Sequence, residues 1–324
     1  MEAVHVERGR VEVRRVPKPG RPPGFATIRL LAAGICNTDL ELRAGYYGFS
    51  GTPGHEFVGQ VVEADDAALI GRRVVGEINL ACGRADCEWC NAGLGRHCPR
   101  RTVLGIVRHA GAFGEYFTLP ERNLYPVPDS VSTERATFTE PVAAACEILD
   151  QVAVPKNAEV AVLGDGKLGL LVAQVLLAHG AGVHLYGRHA AKLKIAARRG
   201  ATTFQNGELP KARYEFVVEA SGSAEGLAAA IGMTKPRGTV VAKSTVHEAV
   251  TLDLAPLIVN EITVVGSRCG RFEPALKLLA DGRLAVEEMI SDRFPLAEAA
   301  AAFERAAAPG VLKVLLVGPG EERC

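Results

Sequence analysis

The most restrictive feature of this chain is a glycine pattern in a fixed setting. Gly164-Asp165-Gly166-Lys167-Leu168-Gly169 follows an apolar run, Glu159 to Leu163, and opens a helical stretch from Leu168 to His179. Beyond it, strands and helices alternate. Gly182 to Tyr186 reads as strand, Ala190 to Arg199 as helix, Phe216 to Glu219 as strand, Ala224 to Met233 as helix and Thr239 to Ala242 as strand. Such alternation predicts a parallel sheet covered on both faces. A G-x-G-x-x-G between strand and helix is the phosphate turn of a dinucleotide-binding unit. Gly164 makes the tight turn, Gly166 lets the backbone approach a pyrophosphate, and Gly169 lets helix pack on strand. Lys167 and Leu168 begin the helix whose free N–H groups meet the phosphates. The bland alternative, an ordinary glycine-rich turn, is disfavoured by the strand-turn-helix setting.

The choice of dinucleotide is made at the end of the second strand. A chain that binds NAD places a carboxylate there for the ribose 2′-OH. Here the segment is Leu185-Tyr186-Gly187-Arg188-His189, without one. Gly187 removes that repulsion from a 2′-phosphate, and Arg188 offers it a planar donor fork. His189 and Lys192 add positive charge. The competing reading makes Arg188 and Lys192 part of a solvated helix face with Lys194, Arg198 and Arg199. The segment therefore favours NADP over NAD.

At roughly 150 residues per domain, 324 residues suggest two domains. The first ~135 residues carry β-type runs such as Ala26 to Leu31 and Phe57 to Val62, separated by dense proline and glycine. After Ile262 to Gly266 come two further helical stretches, one within Ala297 to Ala308, and a strand at Val311 to Val317. The expected architecture is thus a β-rich N-terminal domain, an inserted α/β domain and a C-terminal return. Lys+Arg and Asp+Glu both number 37, so no basic excess marks a nucleic-acid or membrane surface. No stretch is apolar enough to span a bilayer. The opening Met1 to Glu7 lacks the basic and apolar regions of a secretory leader.

Cysteine is unevenly placed. Cys82, Cys87, Cys90 and Cys98 supply four thiolates in one short lobe, which suits a closed tetrahedral zinc site of structural type. Without a secretory leader the lobe reads as metal-binding rather than disulfide-bonded, in a cytoplasmic protein. Cys36, His55 and Glu140 are scattered. Singly they read as core filler, a satisfied core histidine and a helix-start acid. Together they offer one S, one N and one O donor with a fourth position open, the arrangement of a catalytic zinc.

These motifs resemble the zinc-dependent medium-chain alcohol and polyol dehydrogenases over essentially the whole chain. The resemblance is carried by Gly34-Ile35-Cys36-Asn37-Thr38-Asp39, Gly54-His55-Glu56-Phe57-Val58-Gly59, the cysteine lobe, Glu140-Pro141, the Gly164 turn and Lys313-Val314-Leu315. It implies an α/β protein: a GroES-like catalytic domain from residues 1–141 and 270–324, with its zinc lobe at 82–98, and a doubly wound Rossmann domain at 142–269. It assigns Cys36, His55 and Glu140 to the catalytic zinc, with Glu56 as a carboxylate that exchanges onto the metal. Thr38 matches the hydroxyl that passes the substrate proton outward, Asp39 the acid that orients the zinc-bound imidazole, and Lys313 a pyrophosphate contact. Two departures stand out. The Cys82–Cys87 gap is longer than the family's usual spacing, which puts Cys82 in question as a ligand. Glu41 stands where many members keep a relay histidine.

The expected protein is a zinc-dependent NAD(P)(H) oxidoreductase interconverting an alcohol and a carbonyl compound, a homo-oligomer (dimer or tetramer) without nucleic-acid or membrane partners. Its rivals are a zinc-free quinone or enoyl reductase, which would lack the ligand set, and a dinucleotide-binding protein without turnover, which would not need an open metal position. Tyr46, Tyr47 and Phe49 are candidates for a pocket wall or for core.

Overall fold

The computed structural model describes residues 1–246 and 249–320. The chain divides into two compact units: Met1–Glu140 with the stretch from Ile290 onward, and Pro141–Met289.

The second unit is built on six parallel strands: Glu159–Leu163, Gly182–Gly187, Thr202–Gln205, Tyr214–Glu219, Thr234–Ala242 and Thr263–Gly266. Numbered along the chain, they lie in the spatial order third, second, first, fourth, fifth, sixth. The order reverses beside the first strand, and at that point a doubly wound sheet opens a crevice at its strand C-termini. Burial on both faces explains the unbroken apolar runs: Val160, Ala161 and Val162 are wholly buried. The helix Lys167–His179 covers the sheet with every residue from Gly169 to Leu176 buried.

The first unit carries an antiparallel hairpin, Glu2–Glu7 with Arg10–Arg15, and a seven-stranded sheet. The long strand Phe25–Gly34 is central and pairs antiparallel with Glu56–Glu63, Tyr116–Pro120 and Lys313–Val317. Its core gathers Ile28, Leu30, Phe57, Phe113, Phe117, Leu119, Val314 and Leu316. Phe57 meets Phe117 edge-on with ring centroids 4.7 Å apart. The N- and C-terminal segments are therefore one sheet.

Three sequence expectations shift. The C-terminal return begins at Ile290, not at 270. Helix Phe272–Ala280 belongs to the second unit, with Phe272, Ala275, Leu276 and Leu279 buried. The turn after it is anchored there too: Ala285 N donates to Gln174 Oε1 at 2.6 Å. The helix expected from Val142 starts at Thr139, which sets Glu140 in its first turn. Finally, the strand Thr202–Gln205 had no apolar run to announce it, because it is a short edge strand with no fully buried residue. Among the described residues, no helix is long and apolar enough to cross a membrane.

Candidate metal centres and dinucleotide turn

The helix Asn37–Arg43 is capped by Cys36, and the cap organises one candidate centre. Asp39 Oδ2 accepts from Cys36 N at 2.8 Å, fixing the cysteine backbone. Asp39 Oδ1 accepts from Gly54 N at 3.1 Å and lies 3.4 Å from His55 Nδ1. A single wholly buried carboxylate therefore ties the Cys36 turn to the loop that carries His55. Cys36, His55 and Glu56 each offer a donor atom, all within 4.8 Å of one another. His55 Nδ1 is buried and faces Asp39 Oδ1 in a contact that does not meet hydrogen-bond geometry. Thr38 Oγ1 lies 3.9 Å from the Cys36 sulfur.

Charges of both signs are buried together at this centre. Burial opposes protonation of His55, yet the Asp39 carboxylate and the Cys36 thiol outweigh it and hold its pKa well above the ordinary imidazole value. Glu140 stands outside the close group of three donors but shares its field. Burial raises its pKa to about 7, Glu56 and Glu77 push the same way, and His55 and Lys313 oppose them. Packed carboxylates, a thiol and an imidazole are a donor set that a dication would neutralise. The residues fit a metal ion.

Lys313 departs from its expected place. The resemblance assigned it to a pyrophosphate, but it is 2% exposed and its Nζ pairs with Glu56 Oε2 in the core. The cause is the strand Lys313–Val317, which lies between Phe25–Gly34 and Ile290–Pro295 and points Lys313 inward. Its ammonium also lies 5.8 Å from the Phe138 ring centroid. Glu41 is half-buried; the Tyr46 pKa is raised to about 12, chiefly by its hydrogen bond with Tyr47, and the Glu41 charge adds a smaller push. Of the aromatic candidates, Phe49 packs on the hydrophobic core, whereas Tyr47 is 67% exposed.

The four-cysteine lobe is closed. Its sulfurs all lie within 4.8 Å of one another, Cys82 included, so the longer first gap still brings that sulfur in. Gly83, at φ +61°, makes the turn within the gap. The Cys82–Cys90 and Cys87–Cys98 sulfur pairs are each 3.7 Å apart. That is too long for a disulfide, and it matches the edge of a tetrahedron with metal–sulfur bonds of about 2.3 Å.

In the second unit, Gly164 has φ +120°, and a Cβ there would lie 2.4 Å from Ala220 O. A Cβ on Gly169 would lie 2.0 Å from Gly164 O, so helix and turn touch backbone to backbone. Gly166 has open space where its side chain would be, which leaves the backbone approachable. This cradle fits a dinucleotide. Gly187 is less empty than its sequence suggests: a Cβ there would lie 2.5 Å from Asp165 Cβ. No local sequence pattern reveals where the Asp165 side chain goes. Arg188 is exposed, and its guanidinium makes no ion pair among the described residues.

Comparison with known proteins agrees with this organisation. Residues 22–129 match the alcohol dehydrogenase GroES-like domain, and residues 168–281 match the zinc-binding dehydrogenase domain. The D-altritol 5-dehydrogenase of Agrobacterium fabrum is 30% identical over 95% of this chain and 97% of its own. A solved structure described as a zinc-binding dehydrogenase from Sinorhizobium meliloti 1021 bound to NADP is 32% identical, with TM-score 0.89 and 98% of each chain covered. The alcohol dehydrogenase of Thermus sp. ATN1 is also 32% identical, with TM-score 0.89, over 98% of this chain and 100% of its own. The chain belongs to the zinc-dependent medium-chain alcohol and polyol dehydrogenase family.

Proposed function

We propose that the chain is a zinc-dependent, NADP(H)-linked oxidoreductase that interconverts an alcohol or polyol hydroxyl and the corresponding aldehyde or ketone. The observation that carries this reading is the Cys36, His55 and Glu56 donor group braced by Asp39. The relatives named above, two of them dehydrogenases of alcohols or polyols by name, support it, and the NADP-bound neighbour supports the coenzyme.

When bound, zinc supplies Lewis acidity toward the substrate oxygen and the nicotinamide exchanges the hydride. Everything else falls to the chain. Cys36, His55 and Glu140 hold the metal, and Asp39 keeps the imidazole in the orientation that ligation needs. Lys313 holds Glu56 in a buried ion pair, and Glu56 is the carboxylate that exchanges between that ammonium and the metal. Thr38, two residues beyond Cys36, takes the proton from the substrate hydroxyl and passes it outward. Cys82, Cys87, Cys90 and Cys98 hold a second zinc with a structural task. Gly164, Gly166, Lys167, Leu168 and Gly169 receive the pyrophosphate; Arg188, His189 and Lys192 lie toward the 2′-phosphate.

We also read the protein as a cytoplasmic homo-oligomer. A cysteine cluster spaced for metal ligation, and not for disulfides, supports the compartment. The edge strand Thr263–Gly266 and the apolar Leu254, Ile258 and Val259, exposed by 53%, 66% and 79%, support association. Sedimentation equilibrium tests it, and a monomer at all concentrations would refute it.

The activity itself is tested by following NADPH absorbance against a panel of alcohols, polyols, sugars, aldehydes and ketones, together with metal analysis. Zinc-dependent turnover of at least one pair is expected. Undiminished turnover in metal-free protein would overturn the reading.

A further inference from the structure

The side chain of Asp165, inside the glycine turn, reaches across to the end of the second parallel strand. Its Oδ2 accepts from the backbone N–H of Arg188 at 2.8 Å and of His189 at 2.6 Å. The His189 imidazole Nδ1 lies 3.1 Å from both oxygens. The side chain is almost wholly buried, with 7% of the residue exposed. Burial alone would raise the Asp165 pKa, but these donors hold it below the usual carboxylate range, so the group is an anion.

Its position is what matters. In a doubly wound sheet the residue ending the second strand faces the ribose 2′ position. Here that residue is Gly187, and a Cβ built on it would lie 2.6 Å from Asp165 Oδ2. The missing carboxylate is therefore present after all, delivered from the neighbouring turn. It also takes the two N–H groups that lead into the helix Ala190–Ala197, those of Arg188 and of the N-cap His189, donors that a 2′-phosphate would otherwise find free. Arg188, whose guanidinium has no partner among the described residues, pulls the other way.

We infer that Asp165 is a specificity-determining residue for the coenzyme: its carboxylate accepts from a ribose 2′-OH and repels a 2′-phosphate, setting NAD(H) in competition with NADP(H). Preference at this site is then a difference between two opposed charges, Asp165 against Arg188. The inference rests on the dinucleotide-binding reading above.

The test is the binding of NADPH and NADH to the zinc-loaded protein by titration calorimetry, for wild type, Asp165→Asn and Arg188→Ala. Asp165→Asn removes the charge and keeps the shape. It should shift the NADPH-to-NADH affinity ratio toward NADPH by about tenfold or more, the worth of one charge-assisted contact. Arg188→Ala should shift the ratio the opposite way by a similar factor. Should Asp165→Asn fail to fold, Asp165→Ser keeps a short acceptor for the two N–H groups, and the same shift is expected of it. Equal weakening of both coenzymes, or a ratio moved less than threefold, would make Asp165 a structural brace and overturn the inference. A wild-type protein that binds neither coenzyme would instead bring down the proposed activity, and this inference with it.

Discussion

The two candidate metal-ligand groups of the first unit are built on opposite plans. The cysteine lobe draws four like ligands from one short stretch, and its sulfurs all lie within 4.8 Å of one another. The centre at Cys36 draws its donors from a helix cap, a loop and a strand, and it needs Asp39 to bring them together. The lobe leaves no ligand position open, which suits a staple. The other group mixes S, N and O donors, which suits a reactive ion. Ligands of one kind in one segment make a closed site, whereas unlike ligands from several segments make one that can admit a substrate.

The comparison breaks most visibly if the wrong site proves dispensable. Cys36→Ser or His55→Ala should abolish turnover while metal analysis still finds the lobe's zinc; loss of both ions together would erase the distinction. Chelation should follow the same order, removing activity before circular dichroism reports unfolding, because an open site exchanges its ion more readily than a closed one. Simultaneous loss of activity and fold would contradict that order.

A smaller effect is expected where the chain moves a proton. Thr38→Val keeps the shape and removes the hydroxyl, so turnover should fall by ~10²–10⁴-fold with zinc and coenzyme binding retained. A fall below tenfold removes Thr38 from the relay. Asp39→Asn should act more gently still. It keeps an oxygen toward Gly54 but loses the charge beside His55, and metal affinity at that centre should drop by about 10- to 100-fold. The lobe's affinity should be unchanged, as a metal competition assay would show.

Legibility in the sequence followed the same division. The cysteine lobe and the Gly164 turn could be read directly, because each is a local pattern whose geometry closes within a few residues. The alternating strands and helices were equally plain, since a sheet buried on both faces writes itself as apolar runs. Long-range pairings were not legible. Nothing near Lys313 announces that its partner is Glu56, and nothing near Asp165 announces that it caps Arg188 and His189. The unit boundary moved for a related reason: helix Phe272–Ala280 has an apolar face that would suit either unit, and only its burial among residues of the second shows where it belongs.

The strand Lys313–Val317 has a consequence for how the molecule comes into being. It pairs with Phe25–Gly34 on one side and Ile290–Pro295 on the other, and its first residue seals Glu56. A ribosome delivers the nucleotide-binding unit as one uninterrupted stretch, which can fold as soon as it emerges. The first unit must wait, its sheet gapped and the Glu56 carboxylate unaccompanied, until the strand Lys313–Val317 emerges. Termination between Met289 and Lys313 would thus leave an intact nucleotide-binding unit with an unfinished first unit, whose sheet and buried Glu56 pair both depend on the strand Lys313–Val317.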